Sequence, residues 1–278
     1  MYRFARRCMA CEFELCIDAP SRQSAMEMAE EVWELIASFE KQISYFRPDS
    51  DIAFINAMAA KEPVQLEPGL FGLIDRCVEL SRQTKGAFDI TATPLLRIWG
   101  ILDRAPRLPS EEEIHQTLEM VGSDLILLNS EGRWLYFARP GIEISLGAIG
   151  KGEAVDRAMA RLKELGAGSA LVNAGGSSMA AFGIGQPVSI DGKEVELKDQ
   201  SLAVSGAAEA TFVLNGEQFC HLVDPRTGRA LAPMPNVCVV GDSAADAEAW
   251  STAIAVDPGL SDAASQAGYA LCGKMGAQ

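Results

Sequence analysis

The chain has 278 residues, 48% of them hydrophobic, enough for one large domain or two small ones with a real core. Lys and Arg number 24 and Asp and Glu 38, so the net charge is −14, which argues against nucleic acid or an anionic membrane as general partners. An anionic ligand stays open, because a bound metal can neutralise a local site.

No run of about 18 apolar residues occurs, so no membrane span is expected. The N-terminus carries basic residues but no apolar stretch behind them before Glu12 and Glu14. That reads as a cytoplasmic chain, or as an exported one whose leader has been removed. Seven cysteines are an odd count without framework spacing and fit a reducing compartment. Neither a repeat nor a clear linker interrupts the chain, so residues 1–278 read as a single domain.

Residues 8–18 alternate as a strand, Met9, Cys11, Phe13, Leu15 and Ile17 on one face. On one continuous strand Cys8 and Cys16 would lie roughly 26 Å apart, which disfavours a metal site among Cys8, Cys11 and Cys16. Pro20 and Ser21 end the strand. Ala25, Ala29, Val32, Trp33, Ile36, Phe39 and Ile43 then recur at helical spacing. The loop Ser44-Tyr45-Phe46-Arg47-Pro48-Asp49-Ser50-Asp51 holds two aromatics, either anchors on the core or a stacking surface for a planar ligand. Leu70 to Gln83 is a second amphipathic helix. In Gly86-Ala87-Phe88-Asp89-Ile90-Thr91-Ala92-Thr93-Pro94, the small polar groups Asp89, Thr91 and Thr93 either face a cavity together or cap the next helix.

Ser110 and Glu113 have capping-box spacing. Leu125–Leu128 and Trp134–Phe137 suggest a hairpin. Ile142, Ile144 and Leu146 then alternate with Glu143 and Ser145 as a strand. Gly147, Gly150 and Gly152 follow within six residues, around Lys151, and a helical pattern begins beyond them. Such a turn is either plain or built for an anion, since glycine lets backbone approach a ligand and a helix N-terminus presents free N–H groups.

Ala170–Asn173 is a buried strand ending at Gly175-Gly176, a second Gly-rich strand end that suggests two loops converging on one site. Strands are expected at Pro187–Ile190, Leu202–Ser205, Ala210–Leu214 and Asn236–Val240, and a helix over Asp246–Val256. His221 precedes the turn Asp224-Pro225-Arg226-Thr227-Gly228; the other histidine, His115, lies on a helix among glutamates. Glu248 and Thr252 are four apart and share a helix face. They could ligate one hard cation, or belong to an ordinary helix with Thr252 bonded back to its own turn.

Taken together, Ser44–Ser50, Gly86–Asp89, Leu146–Gly152 and His221–Gly228 make the chain resemble the FAD:protein FMN transferases, the ApbE family. Gly175-Gly176 and Ala247–Ala253 extend the match over roughly residues 9–256. The resemblance implies a mixed α/β (α+β) fold, with sheets flanked by helices and an FAD cleft with magnesium at the diphosphate. It also implies transfer of FMN from FAD to a Thr or Ser hydroxyl of a target flavoprotein, with AMP released. By resemblance, Phe46 stacks on the isoalloxazine, Met9 packs near it, and Ala87, Phe88 and Asp89 line the nucleotide. Lys151 meets the diphosphate, Leu222 contacts FAD, and His221 is the candidate for proton transfer. Ala148 through its carbonyl, Glu248, Ser251 and Thr252 match the metal positions. Two departures stand out. Glu248 and Ser145 both stand where the family usually has Asp, so one carboxylate is longer and one, beside the nucleotide, is missing. The C-terminus, Gly268 to Gln278, looks short for a closing strand.

Overall fold

The computed structural model describes residues 1–190, 192–206 and 211–272. The chain opens on a hairpin, β1 (Tyr2–Cys8) and β2 (Cys11–Asp18), rather than on one strand over 8–18. Met9 and Ala10 form its two-residue turn with φ of 48° and 64°. This is the twist that tight hairpins demand and that non-glycine residues resist. With neither Gly nor Asn in the turn, the sequence concealed it. Cys8 therefore faces Cys11 across the hairpin and does not lie along one strand with Cys16.

Helix α1 (Arg22–Ile43) starts at the Ser21 cap and buries the expected apolar stripe. Next come α2 (Asp51–Met58), β3 (Val64–Gln65), α3 (Pro68–Gln83) and α4 (Thr93–Ile98). Helix α5 (Glu111–Leu118) carries the Ser110/Glu113 capping box, and His115 on it is exposed. The hairpin of β4 (Ile126–Asn129) and β5 (Trp134–Phe137) follows, then α6 (Gly150–Glu164).

Strands β6 (Ser169–Ala174), β7 (Ser178–Phe182), β8 (Gln186–Ile190), β9 (Lys193–Leu197), β10 (Gln200–Ser205), β11 (Thr211–Leu214), β12 (Glu217–Cys220) and β13 (Val237–Gly241) come next. The chain continues into α7 (Ala244–Val256), α8 (Ser261–Gln266) and β14 (Ala270–Leu271). Ala210, and residues 273–278 of the C-terminal stretch, lie outside the described residues.

The main sheet runs β1-β2-β6-β7-β10-β13-β14, antiparallel at each pairing. Alternation divides its side chains between two cores. Phe13, Leu15, Ile17, Val172, Ala203 and Val239 face α1, α6 and α7. On the other face Leu171, Met179, Leu202 and Val240 pack under the β8–β9 hairpin. This two-sided cover is why β6 and β7 read as near-continuous apolar runs rather than as clean alternation.

The short β14 closes the sheet edge on β13, against the expectation that the C-terminus falls short. It also brings Cys272 opposite Cys238, Cα–Cα 5.4 Å, as a disulfide. Neither the odd cysteine count nor the spacing pointed to this pair, which departs from the reducing-compartment expectation. The two are 34 residues apart, and only strand pairing makes them neighbours.

The strand expected at Ile142–Leu146 joins no ladder. Ile142, Ile144 and Leu146 are buried as the alternation implies. The backbone of Ile144, however, pairs with a side chain: Asn56 Nδ2 donates to its carbonyl at 3.0 Å and Asn56 Oδ1 accepts from its N–H at 2.8 Å. Ser145 N–H donates to the Ile90 carbonyl. An amide side chain can imitate a strand partner at one residue, a substitution invisible to hydrophobic periodicity. Asn56→Ala leaves both groups unpaired, and a loss of about 1–3 kcal/mol is expected by urea denaturation; a loss under 0.5 kcal/mol would show that Asn56 does not hold this segment.

Candidate active site

Three Gly-containing strand or loop ends, at 147–152, 175–176 and 205–206, open into one cleft of about 780 Å³. Its wall is completed by the loop 87–93, by 221–225 and by one face of α7. The convergence anticipated from two loops is thus built from seven pieces of chain, Asn236 supplying the last.

Helix α6 begins at Gly150, with no side-chain cap on its N-terminus. Gly152 packs against the start of α7, where an added Cβ would meet the Ala244 carbonyl and lie 2.6 Å from Ala245 Cα. Asp156, one turn further, locks the same junction. It accepts from the N–H groups of Ala244 and Ala245 at 2.8 and 3.0 Å and from Ser243 Oγ at 2.7 Å. Burial pushes its carboxyl above the usual range despite those bonds.

This contact sets Lys151 beside Glu248. The Lys151 ammonium donates to Glu248 Oε1 at 3.0 Å, and the Gly152 N–H donates to Oε2 at 2.6 Å. The Glu248 side chain is 7% exposed and that of Lys151 27%. The carboxylate raises the lysine's pKa, so the ammonium stays charged. Thr252 lies one turn beyond Glu248 and lines the cleft. Its Oγ1 lies 3.1 Å from Ser205 Oγ, which in turn is 2.7 Å from Ser251 Oγ. Ser251 donates to the Glu248 carbonyl at 2.9 Å. The back-bonded helical hydroxyl weighed for Thr252 therefore belongs to Ser251, which is fully buried behind the wall rather than open to the cleft.

Of the residues singled out from the sequence, Ala87, Phe88, Asp89 and Ser145 line the cleft. So do Ala148, Lys151, Leu222, His221, Glu248 and Thr252. The Asp89 carboxylate is already committed: Oδ1 accepts from Thr91 N–H and Oγ1, Oδ2 from Ser81 Oγ and Ser123 N–H. It shapes the loop rather than capping α4, whose N-cap is Ala92. Ser145 Oγ accepts from Gly147 N–H at 3.3 Å, so this wall presents a hydroxyl in place of a carboxylate.

Three expected residues do not line it. Met9 sits behind Gly150, in the hairpin turn. Ser251 is buried, as above. Phe46 is 75% exposed and touches Tyr45 edge-on, ring centroids 5.3 Å apart. The two aromatics of this loop differ in their surroundings. Tyr45 is the anchor: it donates to Glu143 Oε2 at 2.8 Å, and Arg97 holds both residues. Phe46 projects outward. Ser205, Asn236 and Ser177 line the cleft and were not picked out. The available signal was Ser205-Gly206, a third glycine at a strand end.

The donor set fits a hard cation in kind. Carboxylate, hydroxyl and carbonyl oxygens are what magnesium takes, and Glu248, Thr252 and Ala148, which line the same cleft, carry them. The Lys151 ammonium already engages one oxygen of the Glu248 carboxylate.

A mainly antiparallel sheet backed by α1, α6 and α7, with a cleft where α6 and α7 meet that holds a lysine–carboxylate pair, defines the class: an α+β protein. Residues 9–268 match the model of the ApbE family, and the chain belongs to that family. It is 27% identical over 234 residues to the FAD:protein FMN transferase of Klebsiella pneumoniae strain 342, covering 81% of this chain and 74% of that protein. To the FAD:protein FMN transferase of Haemophilus influenzae it is 26% identical over 247 residues, covering 82% and 71%. Its fold superposes on an ApbE protein of Thermotoga maritima with a TM-score of 0.87 at 26% identity, covering 97% of this chain and 93% of that one. The apo form of the Pseudomonas stutzeri flavinyl transferase ApbE gives a TM-score of 0.82 at 26% identity, over the same shares.

Proposed function

We propose that the cleft binds FAD and that this chain transfers FMN from FAD to a Thr or Ser hydroxyl of a target flavoprotein, with magnesium. Residues 1–278 act as one domain in this reading. The observation that carries it is the meeting of Lys151 with Glu248 and Thr252 across the α6–α7 junction, beside the α6 N-terminus. A lysine and a helix N-terminus suit a diphosphate, and the curated relatives that this chain resembles are named for the reaction.

In the reaction the acceptor oxygen attacks the FMN-side phosphorus. A phosphoester bond forms, the bond between phosphorus and the bridging oxygen breaks, and AMP leaves. His221 takes the acceptor's proton. Lys151 orients the diphosphate as a point charge, and the Ala87–Phe88 wall excludes water from the nucleotide. Phe46 lies outside the wall, so stacking on the isoalloxazine requires its ring to fold inward over the bound flavin. Glu248, Thr252 and the Ala148 carbonyl would hold magnesium, with Ser251 supporting Thr252 through Ser205. When bound, the ion supplies charge neutralisation on the phosphoryl oxygens.

Ser145 favours a second reading, an FAD carrier without transfer, because the family's carboxylate is absent there. Incubation with FAD, Mg²⁺ and a Thr-bearing acceptor protein separates the two. Transfer gives a covalent flavin on the acceptor and one AMP per adduct. FAD retention with neither adduct nor AMP would overturn the transferase reading in favour of the carrier. FMN and AMP formed without acceptor would identify an FAD pyrophosphatase.

A further inference from the structure

Among the described residues, Glu248 is the carboxylate at the proposed cation corner, and a lysine is already bonded to it. Both oxygens are engaged from α6: Oε1 by the Lys151 ammonium at 3.0 Å, Oε2 by the Gly152 N–H at 2.6 Å. The other groups placed there among the described residues are neutral: the hydroxyls of Thr252 and Ser205 and the Ala148 backbone. Among the described residues, Lys151 is the only Lys or Arg side chain lining the cleft. An ammonium and a divalent ion cannot share Oε1 without bringing like charges within a few ångströms in a partly buried place. The Glu side chain, a methylene longer than Asp, spans from α7 to the first turn of α6.

We propose that Lys151 is a resident counter-ion of Glu248 that a divalent cation must displace, so that the lysine lowers cation affinity in the empty cleft and is released toward the diphosphate when the cation enters. The inference rests on the FAD and cation reading of the cleft, but it concerns this chain's lysine. It makes an unusual demand: deleting a cleft residue should tighten cation binding. The lysine would act as a gate, keeping the empty site from loading metal while adding a mobile cation for the nucleotide.

The test is Mg²⁺ binding to the full chain without FAD, by isothermal titration calorimetry. Lys151→Gln is expected to bind Mg²⁺ about tenfold or more tighter than wild type. Lys151→Arg, which keeps the charge, is expected to stay within about threefold of wild type. Glu248→Gln in the Lys151→Gln background is expected to abolish the gain; tight binding that survives there would place the cation elsewhere and overturn the proposal. Equal or weaker affinity of Lys151→Gln overturns it directly. Should Lys151→Gln fail to fold, the wild type decides. Its Lys151 ammonium ¹⁵N NMR signal, assigned by its loss in Lys151→Arg, should shift or broaden as Mg²⁺ saturates, and an unmoved signal sinks the idea. FAD binding by flavin fluorescence is measured alongside. Failure of FAD to bind counts against the proposed function, whereas an unchanged cation affinity in Lys151→Gln counts against the gate alone.

Discussion

Glu248→Ala is expected to cost about 3 kcal/mol of stability and to lower flavin transfer by at least about a hundredfold. The stability loss comes from what is left behind. Lys151 keeps its charge in a place where only 27% of its side chain reaches water, and the Gly152 N–H loses its acceptor. Removing one partner of a buried pair is more damaging than replacing both. The double variant Lys151→Met/Glu248→Met should therefore recover to within about 1 kcal/mol of wild type in a denaturant titration, while transfer stays absent. Folding and chemistry are separated by that contrast. If Glu248→Ala transferred flavin within threefold of wild type, the carboxylate would have no part in the reaction. Were the double variant as unstable as the single one, the pair would not be the source of the loss.

Gly152→Ala is expected to damage both stability and transfer. The new Cβ would meet backbone, the Ala244 carbonyl and Ala245 Cα, rather than a side chain able to swing away. Overpacking of this kind costs about 1–3 kcal/mol. For a chain of this size that lowers the melting temperature by roughly 2–10 °C. The strain falls on the junction that sets Lys151 opposite Glu248, and Gly152 itself donates the 2.6 Å bond to that carboxylate. Transfer should therefore fall more steeply than stability. Gly72→Ala is the control: it lies inside α3 with nothing within 4 Å of an added Cβ, and a gain of about 0.5–1 kcal/mol is expected. A Gly152→Ala protein that melts with wild type would show that α6 and α7 can part without harm.

Local signals were legible wherever one short stretch carried the whole instruction. The stripe from Ala25 to Ile43, the Ser110/Glu113 box and the β4–β5 hairpin needed no partner to be read. The motifs at 86–89, 146–152 and 221–228 were likewise visible as chemistry-bearing loops, and the fold brings all three to one cleft. The Met9–Ala10 turn was not legible, because its positive φ values are imposed by the sheet on residues that do not prefer them. The segment at 142–146 had a strand's pattern, but its Ile144 takes its backbone hydrogen bonds from Asn56, 88 residues away.

By itself, then, the sequence determined which faces are buried, where helices begin, and which residue types could meet a nucleotide, since periodicity, caps and glycine act over a few residues. Only the tertiary structure decided that Ser251 is buried behind Thr252, that Phe46 projects outward, that Cys238 meets Cys272, and that Lys151 and Glu248 hold each other. Those outcomes depend on how separate elements pack. The reach of a side chain across 97 positions is set by the α6–α7 contact, not by its neighbours in the chain.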